Sequence, residues 1–249
     1  PLIVGSNRDE YKLFLWGLER FSQDYFGMFT DMLGVFYPAL KDLDDYNRIS
    51  AYFSDQWQAV GVNEPAAVLS QSRPGSVYAY RFDWDGQKTK RSVDTSELFG
   101  AAHGIDTVFL SGPDAVSAML NYAQAENESD YEALGDLMRG YWAEFARNGK
   151  PGNGGNNQLP EWQPWQSEGV KKLMLDIPGP GLRMTGETFS VKELKQRLLQ
   201  DKAIDSIRDR CELYAQLFWY ALTKDFFNEQ EYRVMGCEKY PLDHFEAII

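Results

Sequence analysis

The sequence predicts an α/β protein, a mixed sheet flanked by helices and richer in helix than in strand. Three observations carry that reading. Leu2-Ile3-Val4 is a short apolar run that stops at Gly5, as a buried strand does. Val77 to Trp84 alternates aromatic or β-branched residues with others, the pattern of a central strand. Between and beyond these runs lie long stretches whose apolar residues recur at helical spacing.

Taken in order, Leu2–Val4 feeds the turn-forming stretch Gly5-Ser6-Asn7-Arg8-Asp9-Glu10, which delivers Glu10 at the C-terminal end of a strand, where open α/β sheets place functional groups. Tyr11 to Leu18 is helix-like. Phe21 to Phe36, dense in Phe, Met, Leu and Tyr, reads as an amphipathic helix in one or two pieces ending at Gly34 and Pro38. Asp44 to Val60 carries Tyr46, Ile49, Tyr52, Phe53, Trp57 and Val60 on one face, with Asp44 or Asp45 as N-cap. Pro65 to Ser72 predicts a second helix closed by Arg73-Pro74-Gly75. After the Val77–Trp84 strand, Asp85-Gly86 turns the chain and Gln87 to Thr95 reads as polar and exposed.

Gly112-Pro113 ends the next apolar piece, and Asp114 is placed to cap a helix from Ala115 to about Ala125. Tyr131 to Asn148 is a long helix with Leu134, Leu137, Met138, Tyr141, Trp142 and Phe145 along one face. It runs into the polar, glycine-rich loop Gly149–Gly155. Lys171 to Ile177 predicts a strand, Pro178-Gly179-Pro180-Gly181 a turn and Gly181 to Thr185 its partner strand. Ala203 to Phe227 predicts one long helix bearing Ile207, Cys211, Tyr214, Leu217, Phe218 and Ala221.

A 28.5 kDa chain that is 43% hydrophobic and 14% aromatic can bury a large core. Its net charge of −12 argues against binding nucleic acid through phosphates, which takes clustered Lys and Arg. No apolar run approaches the ~20 residues of a membrane span. The two cysteines, Cys211 and Cys237, either close a disulfide or stay as two buried thiols; pairing would favour an extracytoplasmic home. Asn127-Glu128-Ser129 is a glycosylation sequon of the kind that also arises by chance.

The chemistry concentrates in Glu97-Leu98-Phe99-Gly100-Ala101-Ala102-His103-Gly104-Ile105-Asp106-Thr107-Val108-Phe109-Leu110. His103 is one of two histidines in the chain, and small residues surround it on both sides. An imidazole on such a loop can approach both a partner side chain and a substrate, and its pKa suits proton transfer near neutrality. The competing reading is a histidine that merely bonds backbone in a turn. For Glu10 it is a carboxylate placed to meet the positive end of a helix.

This segment resembles the catalytic-histidine loop of the type-B carboxylesterase/cholinesterase family of α/β-hydrolases. Leu2 to Leu15 resembles the same family's strand and turn bearing the catalytic acid, in which a short apolar strand runs into Gly-x-Asn-Lys/Arg-Asp/Gln-Glu. Further likenesses are the tyrosine-rich strand before the histidine loop, Trp142-Ala-x-Phe-Ala-x-x-Gly149-x-Pro151, and Trp162-x-Pro164-Trp165. The likeness runs from Pro1 to about Leu222 and fades over Asn228 to Ile249; His244, in that tail, is given no role.

The resemblance implies that residues 1–249 are the C-terminal portion of a single α/β-hydrolase domain. It makes Glu10 the acid and His103 the base of a Ser-His-Glu triad, with Phe14 and Leu13 as substrate-binding walls beside the acid. The family's Gly-x-Ser-x-Gly elbow is absent, because no serine here has a glycine two residues before it, and the only Gly-Gly, Gly154-Gly155, lies in a polar loop. The nucleophile half is therefore expected upstream or on a partner chain, and half a sheet on its own is expected to dissolve poorly. The implied reaction is ester hydrolysis through an acyl-enzyme, with a small ester as substrate and no metal or organic cofactor. The Ala203–Phe227 helix would be a pairing surface in a homodimer. The alternative on the same fold is a catalytically inactive, cholinesterase-like binding or adhesion protein.

Overall fold

The computed structural model describes residues 1–22, 40–88, 94–112, 126–177 and 181–245. They fall into two compact units, Pro1–Thr188 and Phe189–Ile249. The first is α/β: a four-stranded mixed sheet in the order β1-β2-β3-β4, with β1 Leu2–Asn7, β2 Val77–Phe82, β3 Lys172–Leu175 and β4 Arg183–Thr185. The first three strands run parallel, with Leu2 opposite Val77 and Ala79 opposite Lys172, and β4 returns antiparallel to β3 as the hairpin reading expects.

One register pair fixes how the strands meet at the site. Gly5 faces Tyr80, and a Cβ on Gly5 would lie 2.1 Å from the tyrosine ring. Only glycine lets the ring cross β1, and the crossing carries the Tyr80 hydroxyl toward the loop that holds His103.

Among the described residues the helices of this unit are α1 Lys12–Leu15, α2 Leu43–Gln58, α3 Glu64–Ser72, α4 Thr95–Phe99, α5 Ile105–Ser111 and α6 Glu128–Asn148. The helix expected over Tyr11–Leu18 shrinks to the single turn α1, with Gly17, a poor helix former, soon after it. The cap of α2 is Asp42 rather than Asp44 or Asp45. Its side chain accepts from the Asp45 N–H at 2.9 Å, and Asp44 and Asp45 then sit in the first turn, where the helix dipole favours them.

Past Gln58 the chain widens into a π-turn, Ala59–Asn63, in which the Glu64 N–H reaches five residues back to the Ala59 carbonyl. Pro65 supplies the reason: it has no N–H to send to the Gly61 carbonyl, so the α register cannot run through this point. Gln87 and Thr95, expected to be exposed, are buried. The Gln87 amide donates to the Gly100 carbonyl and the Thr95 hydroxyl to the Lys88 carbonyl, so both ends of the polar stretch are tied in by hydrogen bonds.

Asn127 of the sequon caps α6, accepting from the Ser129 N–H at 3.1 Å. Trp162 is the aromatic hub beneath the sheet. Its ring lies 5.3 to 6.3 Å from those of Tyr78, Tyr80, Tyr141 and Trp142, and its indole N–H donates to the Ala79 carbonyl at 3.0 Å.

The second unit contains α7 Val191–Gln200, α8 Ile207–Phe218 and α9 Glu229–Val234. The long helix expected over Ala203–Phe227 is instead α8 followed by a 3₁₀ segment, Ala221–Phe226. It starts late because Ser206 is the N-cap, accepting from the Asp209 N–H. It ends early where the Thr223 hydroxyl takes the Leu217 carbonyl at 2.7 Å. Cys211 and Cys237 are joined by a disulfide. His244 ends an exposed 3₁₀ turn. The readings made for most of Phe21–Phe36, for the helix over Ala115–Ala125 with its Asp114 cap, and for Pro178-Gly179-Pro180 lie outside the described residues.

Candidate active site

The site begins where β1 ends. Three consecutive backbone groups there are committed: the Asn7 N–H donates to Glu10 Oε1 at 2.7 Å, the Arg8 N–H to the Phe82 carbonyl at 2.9 Å and the Asp9 N–H to the Ala101 carbonyl at 3.0 Å. The last of these is returned, since the Ala101 N–H donates to Asp9 Oδ2 at 3.0 Å. The acid-bearing turn and the histidine loop thus grip each other directly. Gly100 allows the grip. Its φ is +53°, and a Cβ there would stand 2.3 Å from Asp9 Oδ2. Lys12 adds a tie from its ammonium to the Glu97 carbonyl at 2.8 Å.

This frame places Glu10 and His103 in contact: His103 Nδ1 lies 2.6 Å from Glu10 Oε2. The two partners differ in exposure, which bears on their roles. Glu10 is buried at 4%, whereas the His103 side chain is 42% exposed. The hydrogen bond to Glu10 lifts the imidazole pKa above its ordinary value. Partial burial pulls it down, and the charges of Glu10 and Asp106 add to the lift.

Asp106, in the first turn of α5, is buried and doubly held, accepting from the Tyr80 hydroxyl at 2.7 Å and from Asn7 Nδ2 at 3.2 Å. Burial first, and then the Asp106 carboxylate, push the Tyr80 phenol far above its usual range, so it stays a donor at any working pH.

Two aromatic rings flank the imidazole. Phe14 lies 5.3 Å from it and Trp57 5.2 Å, centroid to centroid, and each is 36% exposed. Tyr11 joins them from behind, edge-on to both and stacked on Phe53 at 4.7 Å. The structure therefore gathers Glu10, His103 and Phe14 at one place. Leu13 sits half-buried beside Phe14 on α1.

Three participants escape the sequence reading. Trp57 shares the apolar stripe of α2, and helical periodicity alone cannot tell a wall residue from a core residue. Asn7 and Asp106 stand within the two motif segments, where Asn7 reads only as part of a turn and Asp106 is given no role. Among the described residues no group of three His, Cys, Asp or Glu side chains could hold a metal ion, and no helix is long and apolar enough to cross a membrane.

Residues 32–190 match the family model described as the carboxylesterase family. That span includes His103 and not Glu10. Mouse carboxylesterase 1D is 27% identical over 136 residues, which cover 54% of this chain and 22% of that protein. Mouse pyrethroid hydrolase Ces2a is 29% identical over 168 residues, 66% of this chain and 28% of that one. The chain thus spans roughly a quarter of the length of the curated relatives it matches. The crystal structure of Aspergillus niger EstA superposes with a TM-score of 0.49 at 18% identity, covering 79% of this chain and 38% of that one.

Proposed function

This chain belongs to the carboxylesterase family, and on that footing we propose that it supplies the acid and the base, Glu10 and His103, of a Ser-His-Glu triad that hydrolyses a small carboxylic ester. The observation that carries the reading is the 2.6 Å contact between His103 Nδ1 and a buried glutamate. In this arrangement Glu10 fixes the imidazole tautomer, leaving Nε2 to work as the base. A serine from the nucleophile-bearing part of the hydrolase, upstream or on a second chain, attacks the ester carbonyl as His103 Nε2 takes its proton. The imidazolium so formed is stabilised by Glu10 and gives its proton to the departing alcohol, and water then repeats the sequence on the acyl-enzyme. Phe14 and Leu13 are the substrate walls nearest the acid. An inactive binding protein would place no demand on such a pair.

The test is Glu10→Gln in the complete hydrolase. It keeps the shape of the side chain and removes the charge, so turnover should fall by about 10⁴-fold with folding preserved. Retained turnover would take Glu10 out of the triad. Labelling with a fluorophosphonate probe checks the other half of the reading: the label should land on a serine outside these 249 residues.

A further inference from the structure

We propose that Asn7 is a positioning residue that holds the acid and the base in register with each other; the inference rests on the triad reading above. Asn7 is the last residue of β1 and is buried at 2%. Its backbone N–H donates to Glu10 Oε1 at 2.7 Å and so fixes the carboxylate whose other oxygen meets His103. Its side-chain Nδ2 reaches across to the histidine loop, donating to the carbonyl of Ala102, the residue before His103, at 2.7 Å. The same nitrogen donates to Asp106 Oδ1, three residues after His103, at 3.2 Å. One residue thus touches the acid directly and the base's loop on both sides of the base.

The orientation of the amide follows from its partners. Both face it as acceptors, a carbonyl and a carboxylate whose second oxygen is taken by Tyr80, so the NH₂ end must point at them. The other end, Asn7 Oδ1, is buried and finds no hydrogen-bond partner among the described residues. Leaving an acceptor unsatisfied costs stability. A residue kept for folding alone would avoid that cost. The two donations into the loop are what the side chain is there to provide, and neither aspartate nor alanine can make them.

Without them the loop keeps its ties at Ala101 and Glu97, before the histidine, and the short Nδ1 to Oε2 contact loosens. A misplacement on the order of 1 Å at a reacting group is enough to lower rate by about 100-fold.

The experiment uses Asn7→Ala, with Asn7→Ser as the milder variant should alanine fail to fold. Two readouts are taken. In the complete hydrolase, kcat should fall by roughly 10–100-fold while KM stays within about twofold, because the group lost touches no substrate. NMR titration of the same complete hydrolase, with the His103 signal identified by its loss in His103→Gln, should show the His103 pKa falling back toward the ordinary imidazole value. A variant with a lower melting temperature but unchanged kcat and an unchanged His103 titration would overturn the inference and make Asn7 purely structural. That failure is distinct from failure of the triad, which only an active Glu10→Gln enzyme would signal.

Discussion

The two units of this chain are held together by different means. At the site end of the first unit the chain is fixed by hydrogen bonds among an amide, two buried acids, a phenol and an imidazole. In the second, a disulfide joins Cys211 on α8 to Cys237. Leu213, Tyr214, Leu217 and Phe218 of the same helix are all buried, with the Tyr214 and Phe218 rings 5.0 Å apart. Among this unit's polar contacts, Glu231 accepts from Lys195 and from the Tyr214 hydroxyl, each at 2.7 Å. A unit as short as Phe189–Ile249 buries too little apolar surface to be secure by packing alone, and a covalent staple is the usual remedy. The first unit has a large aromatic core and buries polar groups where Glu10 meets His103. The proposed triad asks these side chains to move protons, which takes titratable groups at close range and which a staple cannot provide.

The contrast can be broken from either side. The largest effect should come from Cys211→Ser with Cys237→Ser. Opening a loop of 26 residues is expected to cost about 3–4 kcal/mol in the second unit. Calorimetry should show that unit melting earlier while the His103 titration in the first is untouched; a shift in His103 would mean the units are energetically coupled.

Next comes Gly100→Ala, which sets a Cβ against the Asp9 carboxylate in a left-handed backbone. Strain and collision together should cost about 2–3 kcal/mol. Here the damage should be local: loss of the Ala101–Asp9 exchange and a His103 pKa falling toward normal, with the second unit unchanged by hydrogen exchange.

The smallest effect is on pH, and the two units should respond in opposite senses. The His103 pKa is raised in the fold, so its pairing with Glu10 stabilises fully below the unfolded value near 6.5 and fades as pH rises through the raised one. For Glu231, burial pushes the pKa up, but the hydrogen bonds from Lys195 and Tyr214 and the lysine's charge outweigh it, and the net shift is downward. Its contribution is present above the ordinary carboxylate value and is lost as pH falls through the depressed one. Glu231 is substantially exposed, so Glu231→Gln should change stability by less than about 1 kcal/mol. Melting curves from about pH 2 to 8 on wild type and Glu231→Gln would show whether the acid limb belongs to the second unit.

Much of the fold is legible in the sequence because its strands announce themselves. Leu2–Val4 and Val77–Phe82 are β-rich and bounded by turn residues, and the Lys171–Thr185 hairpin carries its own Pro-Gly turn. The Glu10–His103 pair is legible through motif likeness, since nothing in the spacing of two residues so far apart in sequence says they meet. What the sequence hides is set by tertiary contact. Trp57 has the same periodicity as its core neighbours, and only the packing of α2 against the site turns it toward His103. Asn7 and Asp106 are polar residues in loop-forming sequence, and only the fold buries them against each other. The π-turn after Gln58 follows from Pro65, whose effect falls four residues upstream of itself. The helix α7 was within reach: Ser190 and Glu193 form a capping box, but with Val191, Leu194 and Leu198 as its buried residues it lacks the aromatic residues that mark α2, α6 and α8.

The Cys211–Cys237 bridge also decides how this protein will look when it is cut. The segment it encloses carries Lys224 and Arg233, both exposed. Trypsin acting at either leaves two fragments that remain one covalent molecule. The nick is invisible in mass by gel until a thiol is added, and then the C-terminal fragment departs with Cys237. Preparations judged intact without reductant can therefore be a mixture, and a reducing lane tells whole chains from mended ones.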